Sequence, residues 1–296
     1  MPSFNFAALQ PDLEAVENRL ASYGAQPIGS EVSLNTLFIN HLASGGSRTR
    51  AALAVAAGQA LALPSAVRVS VATAVELLHQ ASLIHDDVQD KDATRRGQAA
   101  VWSVAGTPSA ICLGDDLIGA AFQELAMLPE THTQLLPKLV TMLSRGISVM
   151  AAGQTLDCQW SPQNHTEIDE YEEIVRHKSG PLLGLPIALT LILSGGSDDD
   201  ALQVLKGASS IGVAYQLADD LLDRDEDRDQ RLNGYWVLAE HLPTGVDPEH
   251  ALRERFEHHL GAAKAAVQHL PPYCPLAFDV LIDALYQKYP SFKEAA

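Results

Sequence analysis

VRVSVATAVELLHQASLIHDDVQDKD, residues 67–92, is the stretch whose reading decides the fold. It is proline-free and apolar along its body, has the length of a long helix, and closes on Asp86, Asp87 and Asp90. Residues three, four, seven and eleven apart share a helix face, so His79, Ser82, Asp86 and Asp90 line up with Asp87 beside them. Carboxylates gathered at a helix C-terminus repel one another and meet the negative end of the helix dipole, so this ending costs stability unless a cation compensates. Hard oxygen donors, with no cysteine and only a flanking histidine, suit magnesium or calcium better than zinc. Taken alone, an Asp-rich helix end also fits a plain solvated face.

The rest of the composition narrows the class. With 296 residues, 47% hydrophobic and 19% charged, the chain reads as a soluble globular protein with a sizeable core. Nothing marks an internal division, so residues 1–296 are expected to form a single domain. A formal net charge of -17 argues against sequence-independent nucleic-acid binding. Cys112, Cys158 and Cys274 are odd in number and lack a CxxC spacing, which fits a reducing compartment without disulfides or a zinc site. The N-terminus lacks the basic and apolar regions of a signal peptide, and residues 181–193 are too short to span a bilayer. A cytoplasmic protein without a transmembrane segment is expected.

Outward from the central stretch, helical spacing predicts helices at 11–23, 34–43, 51–63, 111–128, 137–160, 168–177, 201–205, 208–223, 248–270 and 275–289, with an apolar segment at 181–193. Gly45-Gly46 reads as a helix stop, and Ser197 with Asp198–Asp200 reads as an N-cap and first turn. Residues 93–97 (ATRRG) set Arg95 and Arg96 within a few positions of the three acids, which they could simply neutralise. Alternating β-branched strands are absent, so an all-α chain is expected.

Residues 208–223 (ASSIGVAYQLADDLLD) repeat the pattern, ending on Asp219, Asp220 and Asp223. Two helices that each end in DDxxD can face each other in a bundle and share metal ions. Asp223, Asp225 and Asp227 alternate like a calcium loop, but an EF-hand starting at Asp223 needs Gly and Glu where Arg228 and Gly234 stand. Opposed carboxylates, nearby Arg50, Arg95, Arg96 and Lys178, and long apolar helices suit a ligand with a polyanionic head and a greasy tail. Magnesium keeps few carboxylates and takes other oxygens from phosphates, so it would bridge the acids to a diphosphate and make that group leave easily. An allylic carbocation left behind must be shielded from water, which an apolar helical cavity does.

These motifs together resemble the trans-prenyl diphosphate synthase (polyprenyl synthetase) family of the helical isoprenoid synthase fold. The resemblance runs from about residue 11 to 223. It rests on Gly45-Gly46 with Arg48 and Arg50, LLHQASLIHDDVQD with TRRG, Gly114-Asp115, Gln154 with Asp157, Lys178-Ser179-Gly180, and GVAYQLADDLLD. It implies a single large helical bundle around a central apolar cavity, and a homodimer. It further implies Mg²⁺, three ions per site, bound directly by Asp86, Asp90 and Asp219, with Asp87, Asp220 and Asp223 supporting them directly or through water. By the same resemblance Arg95 and Lys178, with Ser179 of that motif, would hold an allylic diphosphate. Gly46, Arg50, His79 and Arg96 would hold isopentenyl diphosphate, and Tyr215 and Gln216 would flank the reacting carbon.

Two stretches depart from the family pattern. Ser47 stands where the family has lysine, with Ala51 where a proline usually follows, and between Asp219 and Gly245, where the family carries glycine-lysine pairs over the diphosphate, no lysine occurs, only Arg224, Arg228 and Arg231 and then Asn233-Gly234. The resemblance therefore leaves room for a same-fold enzyme that cyclises or transfers the prenyl cation, and for a non-catalytic subunit of a synthase. In the family an aromatic at one of the two positions a turn below the first acids often closes the tail cavity early; here these are Ala81 and Ser82, with Leu78 further down as a floor, so the resemblance implies a product of about twenty to twenty-five carbons.

Overall fold

The computed structural model describes residues 6–24, 33–161, 165–228 and 230–293. Among them the chain forms α1 (Phe6–Leu20), α2 (Leu34–Ala43), α3 (Thr49–Ala60), α4 (Ser65–Gln89), α5 (Val101–Ala126) and α6 (Leu136–Gln159). There follow α7 (Ile168–Leu193), α8 (Asp198–Asp227), α9 (Gly234–His241), α10 (Pro248–Val267), α11 (Tyr273–Lys288) and the short α12 (Pro290–Lys293). The all-α expectation holds with one small exception. Two-residue strands β1 (Thr94–Arg95) and β2 (Gln98–Ala99) pair antiparallel across Arg96-Gly97. Both turn residues have positive φ (51° and 77°), as a two-residue hairpin turn of this hand requires.

Contacts gather into two compact units, Met1–Leu143 with Leu189–Gly195, and Ser144–Ala188 with Gly196–Ala296. Composition gives no sign of this division because it falls inside α6 and α7 rather than in a linker.

In the first unit α4 packs against α5, α3 and α1. Val67, Val71, Ala72, Ala74, Val75 and Leu77 are completely buried, so α4 is covered on all sides of its apolar body. Two of its buried polar residues are linked in series to α2: His41 Nε2 lies 3.0 Å from Gln80 Oε1, and Gln80 Nε2 donates to Glu76 Oε1 at 2.6 Å, whereas Thr73 Oγ1 and Glu76 Oε2 are buried without a hydrogen-bond partner. The helix α5 breaks at Gly106 (φ 83°, ψ 156°) and restarts at Pro108, so an extra turn precedes the predicted helix.

In the second unit α8 packs mainly on α10, with α9 and α11 beside it. Its start is a capping box: Ser197 Oγ accepts from the Asp200 N–H and the Asp200 carboxylate accepts from the Ser197 N–H. Two predicted breaks are absent. The helix α8 runs unbroken through Gly207, where an added Cβ would lie 2.6 Å from the Phe278 ring. The helix α7 runs through Lys178-Ser179-Gly180 and Pro181, which the sequence suggested as an interruption. Near-total burial of residues 185–193 outweighs the hydrogen bonds that Pro181 and Pro186 remove.

Residues 130–159 form a helical stretch long and apolar enough to cross a membrane by length and composition, with 22% of its apolar window buried. Lys138 and Arg145 interrupt this stretch, so it is not an uncharged run.

Candidate active site

At the end of α4, Asp86 is half-buried, Asp87 is 1% exposed and Asp90 is exposed. The β-hairpin swings Arg95 onto Asp87, and its Nε and Nη2 both donate to Oδ1, at 2.9 and 2.6 Å. Neutralisation by an arginine is thus real for this pair. Oδ2 of Asp87 is buried without a hydrogen-bond partner. Burial raises the Asp87 pKa, against the pull of Arg95.

The same hairpin directs Arg96 to the Gly45 carbonyl in the loop between α2 and α3. Gly46 there has φ 139°, and a Cβ on it would sit 2.7 Å from Arg96 Nη1 and 3.2 Å from Arg48 Nη1, so only glycine lets the loop close on the guanidinium groups. Arg48 is engaged by Glu17 at 2.6 Å and lies 3.8 Å from Glu76. Arg50 Nη1 lies 3.1 Å from His79 Nε2. Burial, then the charges of Arg50, Arg96, Arg95 and Arg48, push His79 well below the usual histidine range. The ring is therefore neutral and accepts from Arg50 at Nε2, which leaves the buried Nδ1 proton without a partner among the described residues. Arg50 touches this neutral histidine and Arg96, Arg95 and Arg48 add to the positive potential there, a cationic patch in which Arg95 and Arg48 also pair with Asp87 and Glu17. Ser47 is exposed and its hydroxyl lies 2.7 Å from that of Thr49.

Further back on α4, Leu78 and Ala81 are each 1% exposed, and Ser82 donates to the His79 carbonyl at 2.8 Å. Gly114, the glycine of the Gly-Asp pair on α5, leaves the space that the His85 imidazole occupies.

On α8, the three acids of the second cluster differ. Asp220 is 1% exposed and its oxygens are in use: Oδ1 accepts from Gln216 Nε2 at 2.8 Å, and Oδ2 from the Tyr171 hydroxyl at 2.6 Å and the Gly234 N–H at 2.5 Å. Burial lifts its pKa to about 7 even against those three donors. Gly234 is there because a Cβ would meet the Tyr171 ring at 2.8 Å. Asn233 binds the Asp220 carbonyl and Asp227 Oδ2 through Nδ2, and caps α9 through Oδ1. Asp220 is thus held by three donors, one of them the Gln216 amide.

Asp219 is half-buried and accepts from the Tyr289 hydroxyl and from Lys288 Nζ (3.1 Å), both at the end of α11. Burial opposes the Lys288 charge, but its hydrogen bond to Tyr215 and the Asp219 carboxylate outweigh that and raise its pKa. Asp223 is exposed, and burial together with Asp219, Asp227 and Glu226 raises its pKa. Lys178 pairs with Asp157 at 2.5 Å. That pair depends on Gly153, where a Cβ would meet the Lys178 backbone nitrogen at 2.5 Å, so glycine lets α6 and α7 touch. Ser179 packs its Cβ over Gly212 of α8.

Tyr171, Asn233, Gly234, Lys288 and Tyr289 were not among the residues expected at the acids. An Asn-Gly pair is a general turn signal by which Asn233-Gly234 could have been found, whereas nothing local to Lys288 or Tyr289 points to Asp219.

The donors fit magnesium. They are hard oxygens, like charges raise Asp223, and Asp87 keeps one buried oxygen unpartnered. Among the described residues no three acids, histidines or cysteines already close into a metal cage. An ion that takes one or two carboxylates and fills its shell with water and phosphate oxygens needs no such cage.

A sequence profile of polyprenyl synthetases matches residues 32–233, which include both acid clusters and the cationic patch. The chain belongs to the polyprenyl synthetase family. The farnesyl diphosphate synthase of Geobacillus stearothermophilus is 31% identical over 223 residues, covering 73% of this chain and 74% of that one. The geranylgeranyl pyrophosphate synthase of Geoglobus acetivorans is 30% identical over 184 residues, covering 62% of this chain and 57% of that protein. Against that protein and the geranylgeranyl diphosphate synthase of Methanosarcina mazei, the chain spans a little over half of the relative's length. A decaprenyl diphosphate synthase structure from Rhodobacter capsulatus shares the fold with a TM-score of 0.78 at 22% identity, covering 96% of this chain and 98% of that one. This family member therefore has the all-α isoprenoid synthase fold.

Proposed function

We propose that the protein is a Mg²⁺-dependent prenyltransferase that condenses isopentenyl diphosphate with an allylic prenyl diphosphate to give a longer all-trans prenyl diphosphate. The observation that carries the reading is Arg50 in contact with neutral His79, with Arg96 on the neighbouring Gly45 loop, at a helix that ends in carboxylates on a chain of net charge -17. A cationic patch in so acidic a protein calls for an anionic ligand, and the family match supplies the class.

In this reading Mg²⁺, in three ions, would be held by Asp86, Asp90, Asp219 and Asp223 and would make diphosphate a better leaving group. Asp87 and Asp220 hold the neighbouring acids in place through Arg95, and through Tyr171 and Gly234. The allylic carbon–oxygen bond breaks with its electron pair leaving on the diphosphate, the isopentenyl double bond attacks the cation, and a proton is lost. Arg50, Arg96 and the glycine loop orient the isopentenyl diphosphate. His79, being neutral, offers its Nδ1 proton as a donor without adding a charge. Lys178 and Ser179 belong to the allylic diphosphate side.

We further propose a homodimer packed through α6, supported by the small buried share of its apolar stretch, and a cytoplasmic location, supported by three free cysteines. Incubation with radiolabelled isopentenyl diphosphate and geranyl, farnesyl or geranylgeranyl diphosphate tests the activity. A labelled, longer product is expected. Unlabelled product would mean cyclisation or transfer to another acceptor, for which the missing lysines after Asp223 speak. No turnover with any of them would mean a regulatory subunit.

A further inference from the structure

The family pattern leaves this chain short of lysines beyond the second acid cluster. Arg224 lies 3.7 Å from Glu249 and stacks over Tyr235, while Arg228 stacks over Trp236 at 4.5 Å. Both guanidinium groups are thus turned to α9 and α10. The first lysine after Asp219 in sequence, Lys264, pairs with Asp279 at 3.7 Å.

Lys288 is placed differently. Its Nζ donates to the Tyr215 hydroxyl at 2.6 Å and to Asp219 Oδ1 at 3.1 Å, and it lies 4.3 and 4.7 Å from the ring centroids of Tyr215 and Tyr289. The turn that carries it is fixed. Tyr289 is 2% exposed, Phe292 packs on Phe256 with centroids 4.5 Å apart, and Arg253 stacks on Phe292 while donating to the Ser291 carbonyl at 2.7 Å. An ammonium between two aromatic faces and a carboxylate keeps a favourable site without full burial. Its side chain remains 48% exposed.

We propose that Lys288 is a diphosphate-binding residue of the allylic site, supplying from the end of α11 the lysine that the segment after the second acid cluster lacks. It lies well outside residues 32–233, the part that matches the family profile. The proposal rests on the prenyltransferase reading and deepens it. Lys288 and a divalent cation would compete for the same Asp219 oxygen. Once the acid is loaded, the ammonium's remaining anionic partner within reach of its flexible stem is a phosphate oxygen, and Tyr215 keeps the amine aligned. Tyr289 stays behind as a positioning residue that orients Asp219.

The test compares wild type with Lys288→Met, Lys288→Arg and the charge control Lys264→Met. Calorimetric titration with inorganic diphosphate and Mg²⁺ and the KM of each substrate are measured, with melting temperature as a folding check. Lys288→Met is expected to weaken diphosphate binding and raise the allylic KM by about tenfold or more, as for loss of one charge-assisted contact. The KM for isopentenyl diphosphate should stay unchanged, Lys288→Arg should restore most of the loss, and Lys264→Met should behave as wild type. Unchanged diphosphate affinity in Lys288→Met, or a loss that tracks a fallen melting temperature and afflicts both substrates alike, overturns the proposal. A wild type that binds diphosphate but elongates nothing overturns the prenyltransferase reading instead, and the titration then still decides Lys288.

Discussion

Arg95 places two nitrogens on a single oxygen of Asp87, leaving the other oxygen buried and unpartnered. Removing the arginine would strand a carboxylate that is 1% exposed. Arg95→Ala is therefore expected to destabilise the protein by about 3 kcal/mol, the usual scale for breaking a buried pair from one side. Asp87→Asn should lose less, since a neutral amide needs no counter-charge. Urea denaturation of both variants measures this, and a smaller loss for Arg95→Ala than for Asp87→Asn would refute it.

The acids of the two clusters should separate by stability as well as by rate. Asp86→Ala and Asp219→Asn are each expected to cut turnover by about two orders of magnitude or more if they hold the metal. Asp86→Ala should keep or raise the melting temperature, because like-charge repulsion is relieved. Asp219 instead accepts from Lys288 and Tyr289, so Asp219→Ala should lower it. Near-normal turnover in either variant would rule out the metal role.

Acid should destabilise the first unit through its histidines. Burial lowers the His41 pKa from 6.5 to about 4, only partly offset by its bond to Gln80, and burial also lowers that of His79. Between those values the unfolded chain takes up a proton that the folded chain refuses, so stability is full above about pH 6.5 and falls as pH drops toward 4. The His41 share is about 3 kcal/mol. Asp220, raised to about 7, adds stability over the same range as pH falls, so the histidine share is read as a difference: in denaturation midpoints between pH 7 and 4.5, His41→Gln should lose less stability than wild type loses. An equal slope in the variant would contradict the assignment.

Ser47 is exposed beside the glycine loop, with room for a longer side chain. Ser47→Lys is expected to lower the KM for isopentenyl diphosphate by about tenfold, one added charge-assisted contact, with the allylic KM unchanged. Saturation curves for each substrate are the measurement. A worse KM would show that Arg48 and Arg50 already fill the site.

Ala81 is buried on α4 one turn before Asp86. If it lines the tail cavity, Ala81→Phe should shorten the product from the twenty to twenty-five carbons expected, roughly one or more isoprene units, while overpacking costs about 1 to 3 kcal/mol. Mass spectrometry of extracted products decides it, and identical distributions would remove Ala81 from chain-length control.

What the sequence alone determined was local. The body of α4, the N-cap at Ser197, the glycines at 45 and 46 and both DDxxD helix ends follow from spacing along one chain segment, where neighbours three and four residues apart share a face. Tertiary structure decided which carboxylate does what. Asp219 and Asp220 are adjacent and chemically identical, yet one faces Lys288 and Tyr289 while the other is closed over by Tyr171 and Gly234. It also carried α7 through Pro181, because burial of the following residues outweighs a local break. Desolvation and charge pairing depend on what long-range packing brings within a few ångströms, and no periodicity around Asp219 encodes the arrival of a lysine from the end of α11.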